Sequence, residues 1–200
     1  MKRYAAFSDF QVLGRLFYSF SSGLGPSWRL VSRLMLEEKL GTMGPEGLIQ
    51  FEPEQWYPLP GHLRALDRVQ RDLGEVAVRQ MASTVPQLAR RPEPQAADLR
   101  TALEQVDVAF HANHARDGQP MYCPETGEML EGIGHYRVRP GGFAQQVQCE
   151  CTGPYPCIFD QALLLAFSRQ LNPNASLIHL EPESCRARGS AHCTYGVSWP

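Results

Sequence analysis

The sequence lacks any apolar run long enough to cross a membrane. Its longest strongly apolar run, residues 162–167, is far shorter than the roughly 20 residues that a membrane-spanning helix needs. A secretory signal is missing too, because Ser8, Asp9 and Arg15 interrupt any apolar core that could follow the basic start. We therefore expect a cytoplasmic protein whose six cysteines are reduced thiols or metal ligands rather than a disulfide framework.

The sequence also lacks an excess of charge of either sign. Its formal net charge is -2, so it has no bulk attraction for nucleic acid or for an anionic membrane surface. Hydrophobic residues make up 43% and charged residues 20% of the chain, values that are ordinary for globular proteins and exclude wholesale disorder. Two hundred residues are enough to bury one sizeable core.

Recognisable catalytic motifs are absent as well. The sequence contains no G-x-S-x-G, no phosphate-cradling glycine loop and no H-E-x-x-H, and its acidic residues form no evident general acid/base pair. We therefore predict no catalytic residues and a non-enzymatic protein. One enzymatic alternative stays open, in which Cys157 is a nucleophile and His111 or His114 is its base.

Hydrophobic periodicity changes near the middle of the chain. Helical spacing predicts helices over residues 10–17, 28–40, 61–81 and 96–107. After these, alternation predicts strands over residues 108–112, 134–139, 144–151, 176–180 and 192–199, with one helix over residues 159–171. This order predicts an α+β fold, with N-terminal helices followed by a mostly antiparallel sheet and a packed helix in the order strand-strand-helix-strand-strand.

The run of arginine and proline at residues 90–94 marks the clearest internal break. It divides the chain into a helical N-terminal region, residues 1–94, and an α+β domain of ligand-binding type, residues 95–200. We expect the two to form one compact unit.

Three cysteines in the last third of the chain could form a cluster. Cys185 and Cys193 are separated by seven residues that form a tight basic turn, and Cys157 lies just before the apolar helix. A structural zinc site needs about four ligands, so Glu181 or Glu183 could supply an oxygen to complete it. The same cysteines could instead be small apolar core residues, and a disulfide between Cys185 and Cys193 is a further option.

Residues 107–199 resemble the 4-vinyl reductase domain family, in a stand-alone bacterial branch. These are small-molecule-binding domains related in fold to the haem nitric-oxide-binding domain and to a vesicle-tethering subunit family. The resemblance rests on Cys157 before an apolar helix, an acidic residue on the following strand, and Cys185, Gly189 and Cys193 before an aromatic-bearing final strand.

In the aromatic-sensing bacterial regulators of that family, a matching cysteine, glutamate and cysteine pair bind zinc beside a buried hydrophobic ligand pocket. The resemblance thus implies Cys157, Cys185 and Cys193 as zinc ligands. Pro182 occupies the family's glutamate position, three residues before the first paired cysteine, so Glu181 or Glu183 must supply the fourth ligand, and Glu181 is our prediction.

Apolar side chains of the C-terminal half could line a ligand pocket. We predict Tyr136, Phe159 and Phe167 as pocket walls and His111 as a polar handle, although the same residues could fill a core without a cavity. The haem-binding relatives carry a Tyr-x-Ser-x-Arg signature, and the stretch from Tyr136 to Arg139 lacks the serine, so haem is not expected.

These features together predict a non-enzymatic sensor or ligand-binding protein for a small hydrophobic molecule. A structural zinc ion would stabilise it, and it would signal through a protein partner or a homodimer, with no nucleic-acid partner. The alternative is a protein–protein interaction scaffold that binds no ligand.

Overall fold

The computed structural model describes residues 4–91 and 96–200, so the predicted boundary at residue 94 lies outside the described residues. The helices of the described part are α1 (Tyr18–Leu24), α2 (Trp28–Glu37), α3 (Leu59–Leu73), α4 (Glu75–Leu88), α5 (Leu99–Ala112) and α6 (Cys157–Leu171). Its strands are β1 (Phe10–Leu13), β2 (Thr42–Met43), β3 (Ile49–Gln50), β4 (Trp56–Pro58), β5 (His114–Arg116), β6 (Gln119–Pro120), β7 (Tyr136–Pro140), β8 (Gln146–Cys151), β9 (Ser176–Leu180) and β10 (Cys193–Ser198).

The strands form antiparallel sheets. The C-terminal sheet has the order β7-β8-β10-β9, and a second four-stranded sheet has the order β4-β1-β5-β6. Strands β7 and β8 form the hairpin expected from Pro140-Gly141-Gly142, closed by a 2.9 Å hydrogen bond from Gly141 N to Gln146 O. With α6 between β8 and β9, the predicted strand-strand-helix-strand-strand order and the α+β fold are confirmed.

The prediction of a helix over residues 10–17 is wrong. The segment forms β1 and then a 3₁₀ turn over Gly14–Phe17, because β1 pairs with both β4 and β5. Gly14 permits the close approach of the segment before β4: a Cβ there would lie 2.2 Å from the Glu52 carbonyl oxygen. The apolar residues Phe10 and Val12 are buried by alternation along a strand, which the helical spacing concealed.

The prediction of a strand over residues 108–112 is also wrong, because α5 continues to Ala112. Asp98 caps the start of this helix, its Oδ1 accepting a 3.0 Å hydrogen bond from Thr101 N. Val106 and Phe110, four residues apart, are both buried, so core packing selects helix over the strand preference of the local sequence. His111 consequently lies on a helix.

Gly74 ends the helix predicted over residues 61–81 and divides it into α3 and α4. Its φ of 85° is in the left-handed region, which glycine adopts without steric cost. Two helices therefore replace the single one expected, and they pack against each other.

One hydrophobic core joins the N-terminal helices to the C-terminal sheet. Helix α6 contacts α4 as well as strands β9 and β10, and α5 contacts α6 and β7. Fully buried side chains come from both parts of the chain, including Phe17, Leu66, Leu103 and Tyr195. None of the helices in the described ranges is both long enough and apolar enough to span a bilayer.

Candidate metal centre and adjoining cavity

The sulfur atoms of Cys157, Cys185 and Cys193 converge at one point. The Sγ–Sγ distances are 3.1 Å between Cys157 and Cys185, 3.2 Å between Cys157 and Cys193, and 3.6 Å between Cys185 and Cys193. Cys157 is the first residue of α6, Cys193 is the first residue of β10, and Cys185 lies in the loop before β10. The structure thus brings together three of the four residues that we predicted as metal ligands, and all three are free thiols.

Local turns of the chain place Cys185 beside Cys193. The Cys185 carbonyl accepts hydrogen bonds from Arg188 N at 2.8 Å and Ser190 N at 3.2 Å, so the loop folds back on itself. Gly189, with a φ of 97°, ends the 3₁₀ turn in the left-handed conformation. The basic turn predicted from the sequence is present, but Cys185 precedes a 3₁₀ turn rather than ending a strand.

Hydrogen bonding shifts the pKa values of Cys193 and Cys157 in opposite directions. The pKa of Cys193 is lowered because its sulfur accepts hydrogen bonds from the Cys157 thiol and from Arg186 N. Hydrogen bonding to Cys193, together with burial, raises the pKa of Cys157. Cys193 therefore loses its proton more readily than Cys157, and thiolates are the form that binds metal.

No carboxylate belongs to this cluster in the part of the chain that the structure describes. Glu181 is exposed and lines a separate surface depression with Arg139 and Glu150. Glu183 is also exposed and forms an ion pair with Arg188. The residues in place therefore provide three sulfur ligands, fewer than the four of a closed structural zinc site.

A buried ion pair that the sequence analysis missed lies next to the cysteines. Asp160 pairs with Arg186 and accepts a 2.6 Å hydrogen bond from the Tyr136 hydroxyl. Burial raises the pKa of Asp160 to about 6, against the opposing effects of Arg186 and Tyr136. The only signal in the sequence was an aspartate within the apolar run of α6 and an arginine directly after Cys185.

A cavity of about 40 Å³ lies between the N-terminal helices, α5 and α6. Of the residues predicted to bind a ligand, Tyr136 and Phe159 line it, but His111 and Phe167 do not. His111 is fully buried against Asp107 and His135, and Phe167 packs under the Arg91 guanidinium. The remaining walls are mainly apolar: Leu16, Val85, Ala89, Val106, Ala109, Phe110, Tyr155 and Leu163.

Two buried histidines contribute polar atoms to the cavity wall. His114 Nδ1 donates a 2.7 Å hydrogen bond to Phe110 O, and Nε2 of the neutral ring accepts a 2.8 Å hydrogen bond from the Tyr155 hydroxyl. His62 Nδ1 has no hydrogen-bond partner among the described residues. Burial lowers the pKa of His62 to about 3 and that of His114 to about 4, so both rings are neutral at physiological pH. Sequence reasoning missed His62 because it lies on the buried face of an amphipathic helix.

A haem group does not fit this cavity. Small-molecule pockets typically measure about 300–1,000 Å³, roughly tenfold larger than the space present. The rings of Tyr155 and Phe159 stack at 4.7 Å between centroids and fill the region. Both nitrogens of His114 and the hydroxyl of Tyr136 already have protein partners, and Val138 occupies the serine position of the haem signature.

Comparisons with known proteins identify a fold. No protein-family model matches the chain, and no curated protein does, so the resemblance to the 4-vinyl reductase domain family stays a prediction. An H-NOX protein from S. oneidensis, solved as a mutant in the Fe(II) ligation state, matches with a TM-score of 0.58 at 12% identity, over 93% of this chain and 95% of that one. A second solved structure, from work on modulating haem redox potential through protein-induced porphyrin distortion, matches with a TM-score of 0.46 at 13% identity. The match covers 93% of this chain and 97% of that one. The chain therefore has the α+β fold of the H-NOX protein from S. oneidensis over nearly its full length.

Proposed function

We propose that this protein is a ligand-binding sensor domain in which a zinc ion, held by Cys157, Cys185 and Cys193, fastens the closing strand of the sheet to helix α6. The single observation that carries the proposal is the convergence of three sulfurs from three separate segments to within 3.6 Å of one another. Thiolates are the preferred ligands of zinc, which binds sulfur at about 2.3 Å.

Water takes the fourth zinc position in this proposal. Cys157 is half-buried and lies on the wall of an open groove of about 1,020 Å³, together with Gln161 and Arg186. Solvent in this groove can reach the cluster, whereas Glu181 and Glu183 would have to leave their present positions to do so. A zinc site with three protein ligands and one water is open to exchange of that water.

The cavity between α5 and α6 is the proposed ligand site. At about 40 Å³ it has room for about three or four non-hydrogen atoms, since one water needs roughly 10–15 Å³ on the same measure. Its apolar walls favour a small apolar molecule, and the unpartnered nitrogen of His62 would hydrogen-bond to a polar atom of that molecule. A larger hydrophobic ligand would require α4 and α6 to separate.

The signal would pass to a partner protein or to a second copy of the chain. Ligand occupancy would act on α4 and α6, which pack together beside the cavity. The output would thus be a change in the surface that these helices present rather than a chemical reaction, and the protein would be non-enzymatic.

Two measurements on protein purified without chelators test the proposal. Elemental analysis is expected to find about one equivalent of zinc. A value below about 0.2 equivalents would refute the proposed zinc site. Native mass spectrometry is expected to detect a small bound mass that disappears when Ala109, on the cavity wall, is changed to leucine. A serine variant of Cys123, outside both sites, is the control and is expected to keep both.

The nearly filled core favours one other function, a protein–protein interaction scaffold without a ligand. That function predicts a clean ligand-free mass together with stable self-association or capture of a partner. The zinc result does not separate the two functions, since the metal would stabilise either, so the mass measurement decides between them.

A further inference from the structure

A second cluster of potential metal ligands lies on helix α5 and at the start of β7. Asp107 and His111 are four residues apart and share one face of α5, and His135 directly precedes β7. Their side chains are 13%, 0% and 10% exposed respectively. Together they present two imidazoles and one carboxylate, a donor set that suits divalent first-row transition metals.

The ligand atoms are already close to the separations that a metal would require. His135 Nδ1 lies 2.9 Å from Asp107 Oδ2, and the rings of His111 and His135 are 4.9 Å apart between centroids. One donor atom from each residue falls within 4.8 Å of the others. Tetrahedral ligands bound at about 2.0–2.1 Å are about 3.3 Å apart, so side-chain shifts of an ångström or so would admit an ion.

His111 has coordinating capacity that the protein does not use. Its Nδ1 is 2.8 Å from the Asp107 carbonyl oxygen, but its Nε2 is buried and has no partner among the described residues. Burying a polar atom without a partner destabilises the folded state, and such an exception calls for a reason. Burial also lowers the pKa of His111, which keeps the ring neutral and its lone pair available.

Two further groups orient the ligands from outside the cluster. Glu131 Oε2 lies 2.9 Å from His135 Nε2, and Tyr136 N donates a 2.9 Å hydrogen bond to Asp107 Oδ1. A carboxylate bonded to the far nitrogen of a histidine is the usual arrangement behind metal-binding imidazoles, because it fixes the tautomer and the ring plane.

The two ring nitrogens of His135 lie against different carboxylates, those of Asp107 and Glu131. Both nitrogens of His135 face carboxylate oxygens, which suits the doubly protonated ring. Burial opposes this charge, but the hydrogen bonds to Glu131 and Asp107 outweigh burial and raise the pKa of His135.

We infer that Asp107, His111 and His135 form a second metal site, for a divalent first-row transition-metal ion of zinc type, with Glu131 as the orienting carboxylate and solvent completing the coordination. This site is separate from the three cysteines and does not depend on the proposed sensor function. It would tie the end of α5 to the first strand of the C-terminal sheet.

Cobalt(II) titration of the full-length protein at pH 7.5, followed by absorption, tests the inference because it separates the two sites. Cobalt bound by thiolates gives intense sulfur-to-metal charge-transfer bands, whereas cobalt bound by nitrogen and oxygen gives only weak visible bands. We expect cobalt to bind beyond the amount that the charge-transfer bands report. His135→Gln and Asp107→Asn are each expected to remove that additional cobalt and leave the charge-transfer bands unchanged.

Matched variants make the result decisive. Glu131→Gln should weaken the additional site about tenfold, at the low end for loss of an outer carboxylate, and His192→Gln, elsewhere on the surface, should not change it. Asp107→Asn is nearly isosteric, so a native circular dichroism spectrum will show that any loss is not due to misfolding. Absence of additional cobalt in the wild type, or its retention in both the His135 and Asp107 variants, would overturn the inference.

Discussion

Asp160 of α6 and Arg186 of the loop before β10 form an ion pair that is almost completely buried, with side chains 1% and 12% exposed. The Tyr136 hydroxyl donates a further hydrogen bond to the same carboxylate. The pair connects helix, sheet and cysteine loop at one point. Because both charges are out of solvent, each depends on the other for compensation.

Asp160→Asn is expected to lower the free energy of unfolding by about 3–5 kcal/mol, because it leaves the Arg186 guanidinium buried without a counter-charge. Urea unfolding followed by circular dichroism measures the change. Glu183→Gln is the matched control: it removes the carboxylate of an exposed ion pair with Arg188, which should contribute about 0–1 kcal/mol. Equal effects of the two substitutions would contradict this assignment.

Cys157→Ser and Cys193→Ser should each reduce bound zinc from about one equivalent to less than about 0.2, because two thiolates and water hold the ion poorly. The measurement is elemental analysis after gel filtration. Cys149→Ser is not a suitable control, since that thiol is buried in β8, so Cys123→Ser is used. Glu181→Gln tests whether Glu181 is the fourth ligand. Because Glu181 is exposed, we expect the variant to keep its bound zinc, and a large loss of zinc would show that Glu181 binds the ion.

The buried neutral rings of His62 and His114 should each lower the free energy of unfolding as the pH drops below about 6.5. The folded-state pKa values of His62 and His114, about 3 and about 4, lie below the unfolded value of 6.5, so the unfolded state binds more protons in this window. Each histidine should contribute about 2 kcal/mol of destabilisation at pH 5 relative to pH 7.5. The check is urea unfolding at the two pH values.

His62→Phe should reduce the loss of unfolding free energy between pH 7.5 and pH 5 by about 2 kcal/mol, because phenylalanine can stack on Phe17 as His62 does but cannot take up a proton. Cys123→Ser, which removes no histidine, serves as the control and should keep the wild-type pH profile. An identical acid dependence in the wild type and His62→Phe would show that this ring is not the group that titrates.

Gly134→Ala should destabilise the protein more than Gly127→Ala does. Both glycines have left-handed φ values, 97° and 73°, so alanine strains the backbone in each case by about 1 kcal/mol or more. A Cβ at Gly134 would also lie 2.6 Å from the Thr152 carbonyl oxygen, whereas one at Gly127 meets nothing within 4 Å. The difference between their urea midpoints isolates the clash, and equal midpoints would contradict it.

The sequence predicted the C-terminal half of the fold well because its signals were local. Alternation over β7 and β8, the Pro140-Gly141-Gly142 turn and the apolar run of α6 each specify their own structure. The helix prediction over residues 10–17 was wrong because pairing with β4 and β5, which are distant in the sequence, selects the strand β1. The strand prediction over residues 108–112 was wrong because burial of Phe110 on α5 outweighed the local strand preference of this segment.

Prediction of the site was limited in a similar way. Spacing and resemblance pointed to Cys157, Cys185 and Cys193, which do converge, but spacing carries no information on where the Glu181 side chain points. Partners such as Asp160 and Arg186, 26 positions apart, leave no periodic signal in a single sequence. Tertiary contacts of this kind became visible only in three dimensions.

Strand β10 lies between β8 and β9 although it follows both in the sequence. The β7–β8 hairpin can form early through local contacts, but β9 has no sheet partner until β10 is available to pair with it. Completion of the sheet is therefore a late, non-local folding step, and before it β8 and β9 each expose an unpaired backbone edge that could recruit other chains.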